Sequence, residues 1–239
     1  MKIYTNGCSF TYGDELNCPN ESAWPVLLAT KFNGSVYNNA KSGASNSRIV
    51  FNTIKNSQNN YYDLYVIAWT TYTRFTFYKS DNNFEINFNP QLKNELYGKE
   101  KFFKQWGETL YKVWFNELYA FKQWLQEIIL LQRFLNNRPY LMLNTFDNNL
   151  KLWLSDESTF IENTKSLINF DIMNDEQIFE EFKEIQYYVS CIDTSKFYLW
   201  NNFCITDLTP NFDCGPGGHL LENGHAHIAD IVYNHLCSK

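Results

Sequence analysis

Apolar residues along the chain occur in short runs that alternate with segments of helical spacing. Near-continuous apolar runs bounded by polar residues or glycine are typical of buried parallel strands. Asp63–Trp69 is the clearest of these runs, and Tyr140–Asn144 is another. The predicted strands are Lys2–Asn6, Ser35–Asn38, Asp63–Trp69, Tyr140–Asn144 and Lys196–Trp200.

Helices are predicted between these strands from the spacing of apolar residues and from start and stop signals. Pro25 suits the first turn of a helix, because its missing N–H costs little there. Ser45 or Asn46 can cap the next helix. The predicted helices are Trp24–Thr30, a segment from about Asn46 to Asn56, Glu108–Leu135, Ile178–Ile185 and about Glu222–Leu236.

The alternation of strands and helices predicts an α/β protein with a central parallel sheet and helices on both faces. We expect one domain that spans residues 1–239. A lid or insertion is expected around residues 75–101, where the pattern is irregular and rich in asparagine. The segment 145–192 has little recognisable pattern beyond its one helical stretch.

Composition and charge exclude several classes of protein. With 239 residues, 44% of them hydrophobic and 19% charged, the chain has the composition of a globular domain. The net charge is −6 and no basic stripe is present, so we expect no nucleic-acid partner. No signal peptide and no membrane-spanning run are found, which predicts a cytoplasmic protein without a membrane partner. The cysteines have no C-x-x-C spacing, which favours free thiols.

Three candidate site residues each follow a predicted strand. Ser9 follows the first strand through the turn at Asn6-Gly7, Gly43 follows the second strand, and Thr70 follows the third. Because the carboxyl ends of parallel strands meet at one edge of a sheet, we expect these residues to lie close together. A serine between a strand end and a helix start is well placed as a nucleophile, since helix N–H groups point toward a developing anion. The Cys8 side chain is expected to point the opposite way, into the core.

A base for Ser9 is offered near the C-terminus. His219 lies in the glycine-rich loop Gly215-Pro-Gly-Gly-His219, from which a side chain can reach over the sheet edge. The other histidines, His225, His227 and His235, lie in the final predicted helix. We expect His225 to pack against the sheet or to cap locally, and the other two to be exposed or partly buried. No carboxylate spacing of a metal site accompanies them, so neither a metal nor a cofactor is expected.

These segments resemble, in chain order, the sequence blocks of the SGNH (GDSL-like) hydrolases. The resemblance rests on Gly7-Cys8-Ser9-Phe10-Thr11, on Gly43 after a short strand and on His219 before the last helix. Trp69-Thr-Thr-Tyr-Thr-Arg74 also resembles the variant third block of SGNH-like proteins from phages and environmental bacteria. The resemblance implies a flavodoxin-like three-layer α/β/α fold and ester hydrolysis through an acyl-serine. It implies Ser9 as nucleophile, His219 as general base and acid, and the N–H groups of Ser9 and Gly43 as oxyanion donors.

The chain departs from the family pattern at two positions. The third block normally supplies an asparagine as an oxyanion donor. Thr70 stands at the matching position, and its hydroxyl is expected to replace the asparagine as a weaker oxyanion donor. The family usually has an aspartate three residues before the histidine, where this chain has Pro216. Asp213 is the nearest upstream carboxylate. Asp213 and a backbone carbonyl are therefore the two alternatives for orienting His219.

Two hypotheses about function follow. The first is a serine esterase that acts on small acyl esters, including O-acetyl groups on carbohydrate. The second is a non-catalytic glycan-binding or accessory module, which the missing asparagine and aspartate favour. Arg74 is expected either to pair with a carboxylate or to bind an anionic substrate group, and Trp69 either to lie in the core or to form a sugar platform. Asp14 and Glu15 are expected to interact with the dipole of the first helix.

Overall fold

The computed structural model describes residues 1–78, 85–90, 101–167, 173–200 and 204–238. Among these residues, the central sheet has four parallel strands, in the order Ser35–Asn38, Lys2–Asn6, Leu64–Trp69 and Tyr140–Asn144, which is the order of a doubly wound α/β sheet. The strands are β1 (Lys2–Asn6), β2 (Ser35–Asn38), β3 (Leu64–Trp69), β4 (Phe75–Tyr78), β5 (Glu85–Phe88) and β6 (Tyr140–Asn144). Strands β4 and β5 form a separate antiparallel hairpin.

Helices cover both faces of the central sheet. Those that pack against it directly are amphipathic or largely apolar, as elements between a sheet and solvent must be. The helices are α1 (Ser9–Tyr12), α2 (Pro19–Ser22), α3 (Trp24–Lys31), α4 (Asn46–Ser57), α5 (Lys101–Thr109), α6 (Glu117–Leu135), α7 (Leu150–Trp153), α8 (Glu157–Leu167), α9 (Asp175–Ser190), α10 (Ile205–Leu208) and α11 (Glu222–Cys237).

Alternate residues of β1 belong to two different hydrophobic clusters. Tyr4 packs in a cluster with Ile128 of α6, on one face of the sheet. Ile3 packs in the other cluster with Trp24 of α3 and Ile228 of α11. Every residue of β3 and β6 is buried, because both faces of these strands are covered by helices. The three-layer α/β/α architecture predicted from the sequence is therefore confirmed.

Two predicted elements are corrected by the structure. The helix predicted at Glu108–Leu135 is interrupted: a π-helical turn at Leu110–Trp114 ends the first part, and α6 begins after Asn116. The Asn116 side chain accepts a hydrogen bond from the N–H of Tyr119 at 2.9 Å, as an N-cap does. The strand predicted at Lys196–Trp200 is wrong, because this segment contributes only a single bridge, between Phe197 and Met142.

The segments that lacked a clear pattern contain regular structure where they are described. The hairpin of β4 and β5 lies within the insertion predicted around residues 75–101, and residues 79–84 and 91–100 of that insertion lie outside the described residues. The segment 145–192 contains α7, α8 and α9. Within the described part of the chain, no helix is both long enough and apolar enough to cross a bilayer.

A buried ion pair joins the hairpin to the sheet domain. Glu85 at the start of β5 accepts hydrogen bonds from the Nε of Arg48 and the Nζ of Lys41, both at 2.7 Å. The side chains of Arg48 and Glu85 are only 8% and 11% exposed. Although burial opposes it, contact with these two cations holds the pKa of Glu85 below its usual range. Glu85 is therefore ionised at neutral pH and fixes the hairpin beside α4.

Glu85→Ala is expected to lower the free energy of unfolding by about 3–5 kcal/mol, because Arg48 would be left as an uncompensated buried charge. Urea denaturation measures the loss. The exposed pair of Glu180 and Lys183 provides the control, since Glu180→Ala is expected to cost less than about 1 kcal/mol. Equal losses from the two variants would show that the Glu85 pair does not stabilise the fold in this way.

Candidate functional site

A cavity of about 670 Å³ opens at the edge of the sheet where the parallel strands end. It is lined by segments that follow β1, β2, β3 and β6 and by the loop before α11. Sites in doubly wound sheets occur at this edge. Its lining residues are Ser9, Phe10, Asp14, Ser42, Gly43, Arg74, Asn87, Asn89, Phe146, Thr206, Gly217, Gly218 and His219.

Ser9 is placed by a tight turn between β1 and α1. The side chain of Asn6 accepts a hydrogen bond from the N–H of Gly7 at 2.9 Å, which closes the turn. A side chain at Gly7 would approach the Thr11 hydroxyl to 2.3 Å, so only glycine fits there. Ser9 then begins α1 and lines the cavity, whereas Cys8 is fully buried in the core, as predicted.

His219 lines the same cavity, and a glutamate holds its ring. The Nδ1 of His219 lies 3.0 Å from the Oε2 of Glu15, a residue 204 positions earlier in the chain. Glu15 also accepts hydrogen bonds from the backbone N–H of Gly217 at 2.7 Å and of His219 at 2.9 Å. The carboxylate thus binds both the ring and the backbone of the loop that carries the histidine.

The glycines before His219 leave room for this carboxylate. A Cβ added at Gly215 would lie 2.7 Å from the Glu15 carboxylate, and one added at Gly217 would lie 3.1 Å from it. Glu15 itself has a φ of 69°, a left-handed conformation that costs a non-glycine residue energy. The Glu15 carboxylate therefore reaches the histidine through a strained backbone conformation, and glycine is needed at the two positions beside it.

Two carboxyl groups with different properties flank the imidazole. The hydrogen bond from the Gly217 N–H, together with those from His219, holds the pKa of Glu15 below its usual range, so Glu15 is ionised at neutral pH. Burial raises the pKa of Asp14, although the neighbouring His219 opposes the rise. Asp14 lies with its Oδ2 4.0 Å from the Nε2 of His219, and it accepts a hydrogen bond from the Ser42 hydroxyl.

The sequence predicted Asp213 or a backbone carbonyl at this place, and the structure brings Glu15 there instead. Asp213 is exposed, and its carbonyl accepts a hydrogen bond from the N–H of Leu221 at 3.0 Å. Glu15 was interpreted only as a partner of the first helix dipole. The signal that could have revealed it is the glycine content around His219, which creates space for a neighbouring side chain.

The two further predicted oxyanion donors occupy different environments. Gly43 lines the cavity with a φ of 72°, which glycine adopts readily. Thr70 is fully buried and is not among the lining residues. Its backbone N–H and carbonyl are both hydrogen-bonded to the side chain of Asn46, at 2.9 and 3.1 Å. Thr70 therefore connects β3 to α4.

Two asparagines of the hairpin line the cavity and were not predicted as site residues. Asn87 donates to the carbonyl of Ser42 at 3.3 Å and accepts from the hydroxyl of Thr76 at 2.6 Å. Asn89 is almost completely buried at the cavity wall. The insertion predicted around residues 75–101 therefore contributes polar amide groups to the site.

Of the two residues predicted to bind substrate, the structure places one at the cavity. Arg74 lines it, with its Cζ 5.1 Å from the centroid of the Phe146 ring. Trp69 is fully buried on β3 within the hydrophobic core, so no part of its ring is accessible to a ligand. For Trp69, the core alternative of the sequence analysis fits the structure and the sugar platform does not.

The remaining histidines have local roles in packing. His225 is fully buried, and its Nδ1 accepts a hydrogen bond from the N–H of Trp24 at 3.1 Å, at the start of α3. Burial lowers its pKa to about 4, so His225 is neutral at pH 7. The expected local capping is not seen, because His225 lies on α11 and its hydrogen bond is to the start of α3. His227 stacks on Phe212 and His235 packs edge-on against Tyr198. Among the described residues, no group of His, Cys, Asp and Glu side chains is arranged to hold a metal ion.

No protein-family model and no curated protein matches the chain, whereas solved structures match over its whole length. The psychrotrophic esterase EstA from Pseudoalteromonas sp., inhibited by monoethylphosphonate, aligns with a TM-score of 0.50 and 11% identity over 99% of this chain and 97% of that chain. A member of the lipolytic protein G-D-S-L family from Veillonella parvula aligns with a TM-score of 0.45 and 13% identity, over 98% and 97%. A carbohydrate esterase family 2 enzyme from Corynascus thermopiles (Myceliophthora fergusii) aligns with a TM-score of 0.47 and 12% identity, over 100% of this chain and 66% of that chain.

At these identities the likeness concerns the fold alone. The alignment with EstA covers both chains almost completely and indicates the same overall fold. The chain shares its α/β/α fold with this esterase, which agrees with the fold that the sequence blocks implied. None of the three matched structures is named as a phage protein, so the resemblance to the phage variant stays a prediction.

Proposed function

We propose that the protein is a serine esterase in which Ser9 is the nucleophile and His219 the general base and acid. The observation that carries the proposal is the shared cavity of Ser9 and His219 together with the Glu15 carboxylate at the Nδ1 of His219. A carboxylate at Nδ1 favours the tautomer with its proton on that nitrogen. The lone pair is then on Nε2, where a base for a serine hydroxyl needs it.

In the proposed reaction, the Oγ of Ser9 attacks the ester carbonyl carbon while the Nε2 of His219 takes the hydroxyl proton. The tetrahedral intermediate collapses, His219 returns the proton to the departing alkoxide, and the alcohol leaves an acyl group on Ser9. Water then attacks this acyl group while the Nε2 of His219 takes a proton from the water. The second tetrahedral intermediate collapses, His219 returns this proton to the departing Oγ of Ser9, and release of the carboxylic acid regenerates the free enzyme. Glu15 stabilises the imidazolium formed in each half-reaction.

The oxyanion of the intermediate needs donors at the cavity wall. The N–H groups of Ser9 and Gly43 are the proposed donors, since both residues line the cavity at strand ends. Thr70, proposed as a third donor from its place in the sequence, is buried outside the cavity lining.

The substrate class follows from the size of the cavity and from the matched structures. A volume of about 670 Å³ accommodates a small acyl ester. Matched structures are named as esterases, and one is a carbohydrate esterase. These observations support small acyl esters, including O-acetyl groups on carbohydrate, as substrates.

A second candidate function is a non-catalytic glycan-binding module with the same fold. The observation that favours it is the position of Thr70, which occupies the place of the third-block asparagine and is buried outside the cavity lining. Such a module would bind saccharide equally well with and without the Ser9 hydroxyl. It would not turn over 4-nitrophenyl acetate.

Labelling with a fluorophosphonate probe tests the proposed function. Because the probe reacts only with an activated serine, it is expected to modify Ser9, and peptide mass spectrometry locates the adduct. Ser9→Ala should remove the label, whereas Cys8→Ala should keep it, which separates the serine from the adjacent thiol. Folded wild-type protein that stays unlabelled would exclude an activated serine at this site.

A further inference from the structure

Arg74 is a cavity-lining cation that has no carboxylate partner among the described residues. Its buried Nε and Nη1 atoms donate to no acceptor among the described residues, and no described carboxylate pairs with the guanidinium. The other cations close to the cavity differ, since Arg48 and Lys41 both pair with Glu85. A buried charged donor without an acceptor is unfavourable unless a ligand or a water molecule supplies the acceptor.

The position of Arg74 is fixed by the structure around it. Its backbone N–H donates to the carbonyl of Thr71 at 3.4 Å, in the turn that follows β3. The hydroxyl of Tyr111 donates to the carbonyl of Thr73 at 2.9 Å and holds the same turn from the other side. The guanidinium lies near the ring of Phe146, and this cation–π contact leaves its Nε and Nη1 without a hydrogen-bond acceptor.

A continuous series of contacts links Arg74 to the catalytic histidine along the cavity wall. The ring of His219 lies 5.2 Å from that of Phe10, which lies 5.1 Å from that of Phe146. The Cζ of Arg74 lies a further 5.1 Å from Phe146. All four residues line the cavity, so a small molecule held at Ser9 can extend to Arg74.

The charges at the two ends of this wall are opposite. The carboxylates of Asp14 and Glu15 lie beside His219, where they already contact the Ser42 hydroxyl and the Gly217 N–H. Among the described residues that line the cavity, Arg74 therefore provides the positive charge that favours an anion. Its planar fork matches an oxyanion group in a bidentate manner.

We propose that the ester substrate carries an oxyanion group, a carboxylate or a phosphate, which Arg74 binds during turnover. The proposal rests on the proposed esterase function and names the substrate class of the same site. The oxyanion group belongs to a part of the substrate that does not react, so Arg74 sets specificity and takes no part in the chemistry.

Matched ester pairs test the proposal. Two anionic esters, 4-acetoxybenzoate and acetoxyphenyl phosphate, are each compared with the neutral ester 4-acetoxybenzamide. In a further pair, 4-nitrophenyl hemiglutarate is compared with its methyl ester. In the wild type, at least one anionic ester is expected to have a kcat/KM about 10- to 100-fold above that of its neutral partner. A hydrogen bond between charged groups stabilises a complex enough to account for a factor of about this size. The carboxylate and phosphate arms identify the preferred group. Equal rates within every pair would overturn the proposal.

Variants assign the preference to Arg74. In Arg74→Gln the ratio of anionic to neutral kcat/KM should fall to about 1, and in Arg74→Lys it should be intermediate, because the charge remains without the fork. Arg133→Gln removes the same charge from an exposed position of α6 and should keep the wild-type ratio. A preference that persists unchanged in Arg74→Gln, or in Arg74→Lys if the first variant does not fold, would overturn the assignment.

Equilibrium binding separates this proposal from the esterase proposal. Calorimetry is expected to show tighter binding of 4-hydroxybenzoate than of 4-hydroxybenzamide to the wild type and to Ser9→Ala, with the difference lost in Arg74→Gln. Anion binding with an unlabelled Ser9 would overturn the esterase function and support the anion site. A labelled Ser9 without any preference for the anion would overturn the anion site alone.

Discussion

Ser9→Ala is expected to lower kcat for 4-nitrophenyl acetate by about 10⁴-fold or more, because the variant has no nucleophile to form the acyl-enzyme. His219→Ala is expected to cause a loss of the same order, since the serine hydroxyl is then not activated. Steady-state kinetics on proteins with unchanged thermal unfolding measures both losses. Retention of more than about 1% of the wild-type kcat by Ser9→Ala would assign the reaction to another group.

The double variant Ser9→Ala/His219→Ala tests whether the two residues act in the same step. Residues that act as a unit in one step are strongly non-additive, so the double variant should be no slower than either single variant. Losses that multiply would show that Ser9 and His219 act in separate steps. Cys8→Ala is the matched control, because this thiol is adjacent in sequence but fully buried in the core, and it should retain turnover.

The elements that could be predicted from the sequence are those whose pattern is local. β3 and β6 are continuously apolar because helices cover both faces of the sheet at the centre. The capping of α4 by Ser45, whose hydroxyl accepts from the N–H of Arg48 at 3.3 Å, was also recognisable from a small polar residue before a helical period. In each case the residues of one segment contain the whole signal.

The failures concern segments whose structure depends on distant partners. Lys196–Trp200 has the composition of a strand, yet a strand needs a neighbour along its length, and here only Phe197 pairs, with Met142. The helical period at Glu108–Leu135 continues across Asn116, but the asparagine caps a new helix there. Propensity alone does not decide between the two states in either segment.

The candidate site residues show the same difference between local signals and distant contacts. Ser9, Gly43 and His219 were predicted because each stands beside a turn or glycine signal of its own, and the structure brings all three to one cavity. Glu15 was missed because its contact with His219 spans 204 positions. Asn89 was missed because the hairpin that carries it has no strong pattern of its own.

Glu15→Gln is expected to lower kcat by about 10²- to 10⁴-fold with little change in KM, because Glu15 positions the base and does not contact the substrate. A glutamine at this place either turns its NH₂ group toward the Nδ1 of His219 or loses the hydrogen bond from Gly217. In both cases the imidazole loses the negative charge that stabilises its protonated form. Separate determination of kcat and KM for 4-nitrophenyl acetate measures the effect.

Asp213→Asn is the matched control, because it removes a carboxylate of the same loop that does not contact the Nδ1 of His219. It should keep a kcat close to that of the wild type, within about twofold, as an exposed substitution does. Glu15→Asp tests position rather than charge: its shorter side chain should restore part of the kcat lost in Glu15→Gln, since a carboxylate remains near the ring. If Asp213→Asn lost as much activity as Glu15→Gln, the base would be oriented by Asp213 in the working enzyme, and the role of Glu15 would be limited to holding the glycine loop.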